Sequence, residues 1–206
     1  SGVANLWAGT EDFQDGSTVN IQNWNYGASS GDNRLIQNPS IITANADGYY
    51  FGNLTISGAP SALFSVVEGA QTNVKICQNN FMANHTNQVV SLLNINGASA
   101  IIGGDIIVNS TGTSFAFSSV TTPSGAVATT TINGDLRATA GIINLSTQSG
   151  NFTSIVQLKG NLSIPTGTTL SCTSNTGTIV FSGTSATQTI SLASGSTLGD
   201  RVSFEI

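Results

Sequence analysis

The chain has 206 residues, enough for one domain with a sizeable core, and its net charge is −5. Only 7% of its residues are charged, against roughly 25% in ordinary soluble domains. Its few basic residues are scattered singly, which argues against nucleic acid as a partner. Since no apolar run reaches the roughly 18 residues of a membrane-spanning helix, we expect no membrane insertion.

The polar residues are mainly Ser, Thr, Asn and Gly, which favours an all-β fold. These short neutral side chains suit the outer face of a sheet and suit helix surfaces poorly, because they compete for backbone hydrogen bonds. A disordered chain can have a similar polar composition. The hydrophobic content of 39% and many alternating apolar runs argue against disorder.

Residues 1–40 are irregular and are predicted to form an N-terminal cap, or a first coil decorated with loops. A solenoid needs such a cover to block edge-to-edge pairing of its first coil. This segment holds the acidic residues Glu11, Asp12, Asp15 and Asp32. Calcium binds several carboxylate and carbonyl oxygens, but this spacing matches no recognisable calcium loop. A solvated acidic surface is the preferred interpretation, and no metal or cofactor is predicted.

Residues 41–206 repeat a phrase in which an apolar stretch, Gly, Asn or Asp, and a Leu or Ile follow one another. Examples are Gly52-Asn53-Leu54, Gly104-Asp105-Ile106, Gly134-Asp135-Leu136 and Gly160-Asn161-Leu162, with a weaker copy at Asn73-Val74. The copies recur about 20 to 32 residues apart, as in stacked-coil repeats. We predict a right-handed parallel β-helix in which Leu54, Ile106, Leu136 and Leu162 share one column, and Val74 is the leading apolar residue of the weaker copy. The corner glycines are expected to adopt a positive φ.

These repeats resemble the β-solenoid segments of large secreted surface proteins of the Bacteroidetes. The resemblance rests on the segments starting at Gly52, Gly104 and Gly160, on the closing stretch Val180–Ser191, and on the opening with Trp7 and Asn23-Trp24. It implies secretion, a cell-surface location and a place in a long, modular, often adhesive chain with neighbouring domains. Phage tail-fibre solenoids have a similar composition. The ends of the sequence, Ser1-Gly2 and Arg201–Ile206, suggest a piece of a longer protein.

Aromatic residues are the candidate binding group, because sugar rings stack on exposed aromatic faces. Every Trp and Tyr lies in the first 50 residues: Trp7, Trp24, Tyr26, Tyr49 and Tyr50. Burial beneath the cap is the alternative interpretation. If they are exposed, the partner is a polysaccharide or a cell-surface glycan.

Catalysis by a β-helix lyase or hydrolase depends on the acids Asp105 and Asp135, which occupy the same position in their repeats. A glycosidase needs two carboxylates about 5–10 Å apart. Their position after a corner glycine is also a turn position, and this structural interpretation is preferred. His85, the only histidine, lies in a polar stretch and is predicted to be a surface residue. No catalytic residue is therefore predicted.

Cys77 and Cys172 are predicted to be free thiols. They lie about four coils apart, or about 19 Å at the spacing of stacked strands, and a disulfide needs Cα atoms within about 7 Å. Taken together, the sequence predicts a non-catalytic solenoid module, a rigid stalk or adhesive segment, with a carbohydrate-binding module as the alternative.

Overall fold

All strand pairings that the structure describes are parallel. The computed structural model describes residues 11–13, 16–23, 34–36, 42–60, 64–67, 71–94, 97–119, 127–147, 153–173, 176–184 and 187–206. Within these ranges the regular secondary structure is β-strand, without a helix. The strands are β1 (Glu11–Asp12), β2 (Thr18–Gln22), β3 (Arg34–Ile36), β4 (Ile42–Thr43), β5 (Asn53–Gly58), β6 (Phe64–Val67), β7 (Val74–Cys77), β8 (Phe81–His85), β9 (Val90–Leu93), β10 (Ser99–Ile102), β11 (Ile106–Ser118), β12 (Val127–Ile132), β13 (Leu136–Asn144), β14 (Thr153–Leu158), β15 (Leu162–Ile164), β16 (Thr169–Ser171), β17 (Thr176–Phe181), β18 (Ile190–Leu192), β19 (Thr197–Leu198) and β20 (Val202–Glu205).

The chain winds repeatedly through three stacked faces. Face A consists of β2, β5, β8, the first part of β11, the first part of β13, β15 and β18. Face B consists of β3, β6, β9, the remaining parts of β11 and β13, β16 and β19. Face C consists of β7, β10, β12, β14, β17 and β20. This arrangement is a parallel β-solenoid, so the predicted all-β solenoid fold is confirmed.

The inward-facing residues of face A form one continuous apolar column. In chain order its members are Val19, Leu54, Phe81, Ile106, Leu136, Leu162 and Ile190. The five between Val19 and Ile190 are fully buried, Val19 is partly buried, and Ile190 is exposed. The prediction that Leu54, Ile106, Leu136 and Leu162 share a column is therefore confirmed.

Val74, the leading residue of the weaker copy, does not belong to this column. Val74 lies on face C, opposite Ala100, and Phe81 takes its place on face A. The repeat at Phe81 begins with Asn79-Asn80, so Asn79 stands where the other copies have Gly, which hides the repeat in the sequence. The corrected member is also aromatic, and its ring lies 5.6 Å from that of Phe115 between centroids.

The corner glycines are required for a different reason from the one predicted. Positive φ occurs at other glycines, such as Gly112 and Gly141, and not at the glycines of the repeated phrase. A Cβ added to Gly134 would lie 2.7 Å from the carbonyl carbon of Gly104, and one added to Gly52 would lie 2.7 Å from the Ser17 nitrogen. Glycine is needed because the backbones of successive coils come into close contact at this corner.

Within residues 1–40 the structure describes three strands. β2 pairs with β5 over five residues, and β3 pairs with β6, so both belong to the same stacks as the later strands. β1 pairs with β4. The division of the chain at residue 40 into a cap and a solenoid stays a prediction.

Cys77 and Cys172 form no disulfide with each other, as the coil spacing predicted, and both are buried. Cys77 lies in the core of face C, in register with Ile102. Burial raises the pKa of the Cys77 thiol, and a backbone hydrogen bond with Leu54 opposes the shift only in part. A protonated, inaccessible thiol is a poor nucleophile, so Cys77 acts as a packing residue.

Candidate functional site

A column of Asn and Asp side chains runs along the corner that precedes face A. We call this column the Asx ladder; its members are Asn53, Asn80, Asp105, Asp135 and Asn161. The side-chain oxygen of each member accepts a hydrogen bond from the backbone N–H of the next, at 3.2, 2.9, 2.8 and 2.8 Å. The last oxygen accepts from Thr189 at 2.9 Å. The ladder thus links residues 25 to 30 positions apart across five successive coil contacts.

The carboxylates of the two acidic members, Asp105 and Asp135, interact with both backbone and side-chain groups of the next coil. Asp105 Oδ1 accepts from the Asp135 backbone, and Asp105 Oδ2 forms an ion pair with the Arg137 guanidinium. Asp135 Oδ1 accepts from both the backbone and the side-chain amide of Asn161, at 2.8 and 3.1 Å. The alignment of the two acids expected from the repeats is present, and their hydrogen bonds serve the coil-to-coil contact.

Asn80 belongs to the ladder, although the sequence analysis did not identify it. Its Oδ1 accepts from the Asp105 backbone, and its own backbone donates to Asn53. The sequence offered one signal for this member of the ladder: Asn80 stands directly before Phe81, an apolar residue that begins an alternating stretch. The missing glycine concealed the repeat.

Two of the five predicted glycan-binding aromatics lie in described regions. Tyr49 is half-buried, with the Lys75 ammonium 5.2 Å from its ring centroid. Tyr50 packs against the hydrophobic core. Trp7, Trp24 and Tyr26 lie outside the described residues, so the proposed cluster of five stays a prediction.

Polar groups surround Tyr49 and form a small surface patch, defined here as Asp47, Tyr49, Lys75 and Gln78. The Lys75 ammonium donates to the Asp47 carbonyl oxygen at 2.7 Å. The Gln78 amide donates to the Asp47 carboxylate at 3.4 Å. This Tyr49 patch combines an aromatic ring with hydrogen-bond donors and acceptors, the combination that a sugar-binding surface uses.

The outward side of face C carries rows of mostly neutral side chains. One row is Ser99, Thr129, Ile155, Thr178 and Ser203, and the next is Ile101, Thr131, Gln157, Val180 and Glu205. Hydrogen bonds join adjacent coils within these rows, from Thr131 to Gln157 at 3.1 Å and between Thr178 and Ser203 at 2.9 Å. Stacked strands repeat every 4.8 Å or so, so face C presents hydroxyl and amide groups at a regular spacing.

His85 is not the surface residue that the sequence predicted. Only 1% of its area is exposed, and its Nε2 lies 3.0 Å from the Ser110 hydroxyl, which is fully buried. His85 follows Phe81 and Ala83 at every second position of β8, so strand alternation turns it inward with them. The polar neighbours in sequence concealed this period of two.

The His85–Ser110 pair has the histidine and the hydroxyl of a Ser–His–Asp triad but lacks the acid. Nδ1 of His85 is buried and makes no hydrogen bond with a carboxylate among the described residues, so no acid orients the ring. Burial lowers the pKa of His85 to about 4, and the nearby Gln88 backbone opposes the shift. The ring is therefore neutral at pH 7 and acts as a buried hydrogen-bonding residue.

No group of three or more His, Cys, Asp or Glu side chains within the described ranges is arranged to hold a metal ion. Of the predicted acidic cluster, Asp15 and Asp32 lie outside the described residues, and for Glu11 and Asp12 only the backbone is described. Among the residues described, no helix has the length and apolar character needed to cross a membrane.

Comparison of the chain with protein-family models, curated proteins and solved structures finds no match. The function is therefore inferred from the fold and from the geometry of the described residues.

Proposed function

We propose that this chain is a rigid, non-catalytic module of a secreted or cell-surface protein, serving as a stalk or an adhesive segment. The observation that carries the proposal is the continuity of the Asx ladder from Asn53 to Thr189. Each coil is joined to the next by this ladder, by parallel strand pairing and by the apolar column. A bend between coils would break all three contacts together, which favours a stiff rod.

The dimensions and the surface support this role. The seven strands of face A span about 30 Å at the spacing of stacked strands. The outward rows of face C are mainly neutral, with Lys75 and Glu205 at the two ends of one row, a surface suited to many weak contacts with hydroxyl-rich material. The likeness of the repeats to secreted Bacteroidetes surface proteins supports a location outside the cell.

Hydrogen exchange followed by mass spectrometry tests the rigidity. A rod predicts similar slow exchange in the face A strands from β5 to β15, since each is paired on both edges. A stretch of fast exchange within this range would show a hinge and would contradict the stalk.

Incubation with neutral and acidic polysaccharides tests the absence of catalysis. We expect no new reducing ends and no unsaturated products above the buffer control. Product release by the chain would overturn the proposal. The double variant Asp105→Asn with Asp135→Asn would then show whether the acidic ladder members are responsible.

A second candidate function is carbohydrate binding, which the Tyr49 patch favours. Glycan-array binding that is lost in Tyr49→Ala, and retained in the distant control Lys159→Ala, would support this function. The double variant Trp7→Ala with Trp24→Ala tests the remaining predicted aromatics. Binding that survives all of these substitutions would remove the aromatic site.

A further inference from the structure

Nine outward-facing side chains of face C form a regular grid. They lie on three neighbouring strands, β12, β14 and β17, and each pair of strands is in register over six consecutive residues. Along each strand, the side chains between the members of the grid are buried. We call this set the face C grid; its rows are Val127, Thr153 and Thr176; Thr129, Ile155 and Thr178; and Thr131, Gln157 and Val180.

The spacing of the face C grid is constant in both directions. Neighbouring strands lie about 4.8 Å apart, and alternate residues along a strand lie about 6.6 Å apart. The pairings of β14 with β12 and with β17 contain no bulge, so the three rows stay aligned. Water oxygen atoms on the prism face of hexagonal ice repeat at similar distances, so the grid matches the periodicity of that surface.

The side chains of the face C grid are stiff and combine hydroxyl with methyl groups. Eight of the nine are branched at Cβ: five Thr, two Val and one Ile. Branching at Cβ restricts χ1, so these hydroxyl and methyl groups have nearly fixed positions before any contact. Little side-chain entropy is then lost on binding, and a regular array can hold water at matching positions.

The face C grid contains neither a charged nor an aromatic side chain. A charged group at a contact with a neutral solid would lose hydration water at a high cost in free energy. The charges of the third row lie outside the grid: Glu205 is adjacent to Val180, and Lys75 is two strands away from Thr131. Since sugar rings stack on aromatic faces, the composition of the grid favours a neutral lattice over a glycan.

The outward side of face A lacks this regularity. Met82 and Arg137 are long and flexible, and Arg137 forms an ion pair with Asp105. The pairing of β11 with β13 also shifts register. One outward row of face A is Thr55, Met82, Ile107, Arg137 and Ser163. A stiff, neutral and evenly spaced surface is therefore a property of face C that face A does not share.

We infer that the face C grid binds the surface of an ice crystal. Water held at its hydroxyl and methyl groups continues the ice lattice across the contact. The inference rests on the spacing of the rows, the fixed positions of the β-branched side chains and the lack of charge in the grid. This activity goes beyond the proposed role as a stalk and does not depend on it.

Nanolitre osmometry of the whole chain tests the inference through the shape of ice crystals and the gap between their melting and freezing temperatures. We expect faceted crystals and a gap that widens with protein concentration. Thr129→Lys and Thr176→Lys should each remove most of this gap, because a long, strongly hydrated side chain holds ice away from the grid. The matched control Thr55→Lys alters an outward residue of face A that is half-buried like Thr129, and should leave the gap unchanged.

Circular dichroism and the thermal unfolding midpoint show whether each variant keeps the fold; Thr176 is exposed, so its substitution disturbs packing least. Unfaceted crystals without a temperature gap in the unmodified chain overturn the inference, and so does a gap that persists in both grid variants. Binding to crystalline cellulose, lost in the grid variants and without any effect on ice, would assign the grid to a polysaccharide instead. The stalk is tested separately, by hydrogen exchange.

Discussion

Asp105 lies one coil before Asp135, and its Oδ1 accepts a 2.8 Å hydrogen bond from the Asp135 backbone N–H. The same relationship joins Asp135 to Asn161 and Asn161 to Thr189. A side chain that would otherwise be an exposed polar group thus becomes part of the coil-to-coil contact. This relationship explains why Asn and Asp recur after the corner glycines.

Removing one ladder acceptor should destabilise the solenoid locally. Asp135→Ala deletes the oxygen that accepts two hydrogen bonds from Asn161. We expect this substitution to reduce the free energy of unfolding by about 1–2 kcal/mol. Asp135→Asn keeps an acceptor and should cost less. Denaturant unfolding gives the stability, and hydrogen exchange at the Asn161 amide shows the local effect. Equal losses for the two substitutions would show that charge, and not the ladder, is responsible.

The corrected column makes Phe81 a major stabilising residue. Phe81 is fully buried between Leu54 and Ile106, so Phe81→Ala should reduce the free energy of unfolding by about 3–5 kcal/mol. The control Met82→Ala changes the neighbouring outward position and should cost less than about 1 kcal/mol. A small effect at Phe81 would contradict the register of β8.

The buried His85 should make the stability depend on pH. Its pKa is about 4 in the folded chain and 6.5 in the reference state, so the unfolded chain binds more protons between these values. Stability should therefore fall as pH decreases from about 6.5 to about 4, by about 3 kcal/mol in total, and this contribution is constant at higher pH.

Proton NMR can measure this pKa directly, because His85 is the only histidine. His85→Gln should remove its part of the pH dependence, while the carboxylates continue to titrate in both proteins. A His85 pKa near 6.5 in the folded chain would contradict its burial.

Two glycines with positive φ should respond differently to the same substitution. Gly112 and Gly141 have φ values of 74° and 87°, so alanine is strained at both, by about 1–2 kcal/mol. At Gly112 an added Cβ meets nothing within 4 Å, whereas at Gly141 it would clash with the Ser110 carbonyl oxygen. Gly141→Ala should therefore lower the thermal unfolding midpoint much more than Gly112→Ala. Equal shifts would show that strain alone sets the cost.

The local patterns determined the class of this fold. Alternating apolar residues, few charges and a recurring Gly-Asn or Gly-Asp predict stacked strands, and the column through Leu54, Ile106, Leu136 and Leu162 follows from them. Each of these signals lies within a few consecutive residues, where strand geometry acts directly. The absence of a disulfide between Cys77 and Cys172 followed from the same coil spacing.

The tertiary structure decided which residues face one another across coils. The place of Phe81, the inward position of His85 and the need for glycine at residue 134 all depend on contacts with residues 25 to 30 positions away. Those contacts set the register of the coils. Because the coils vary in length, the register cannot be read from a short stretch of sequence.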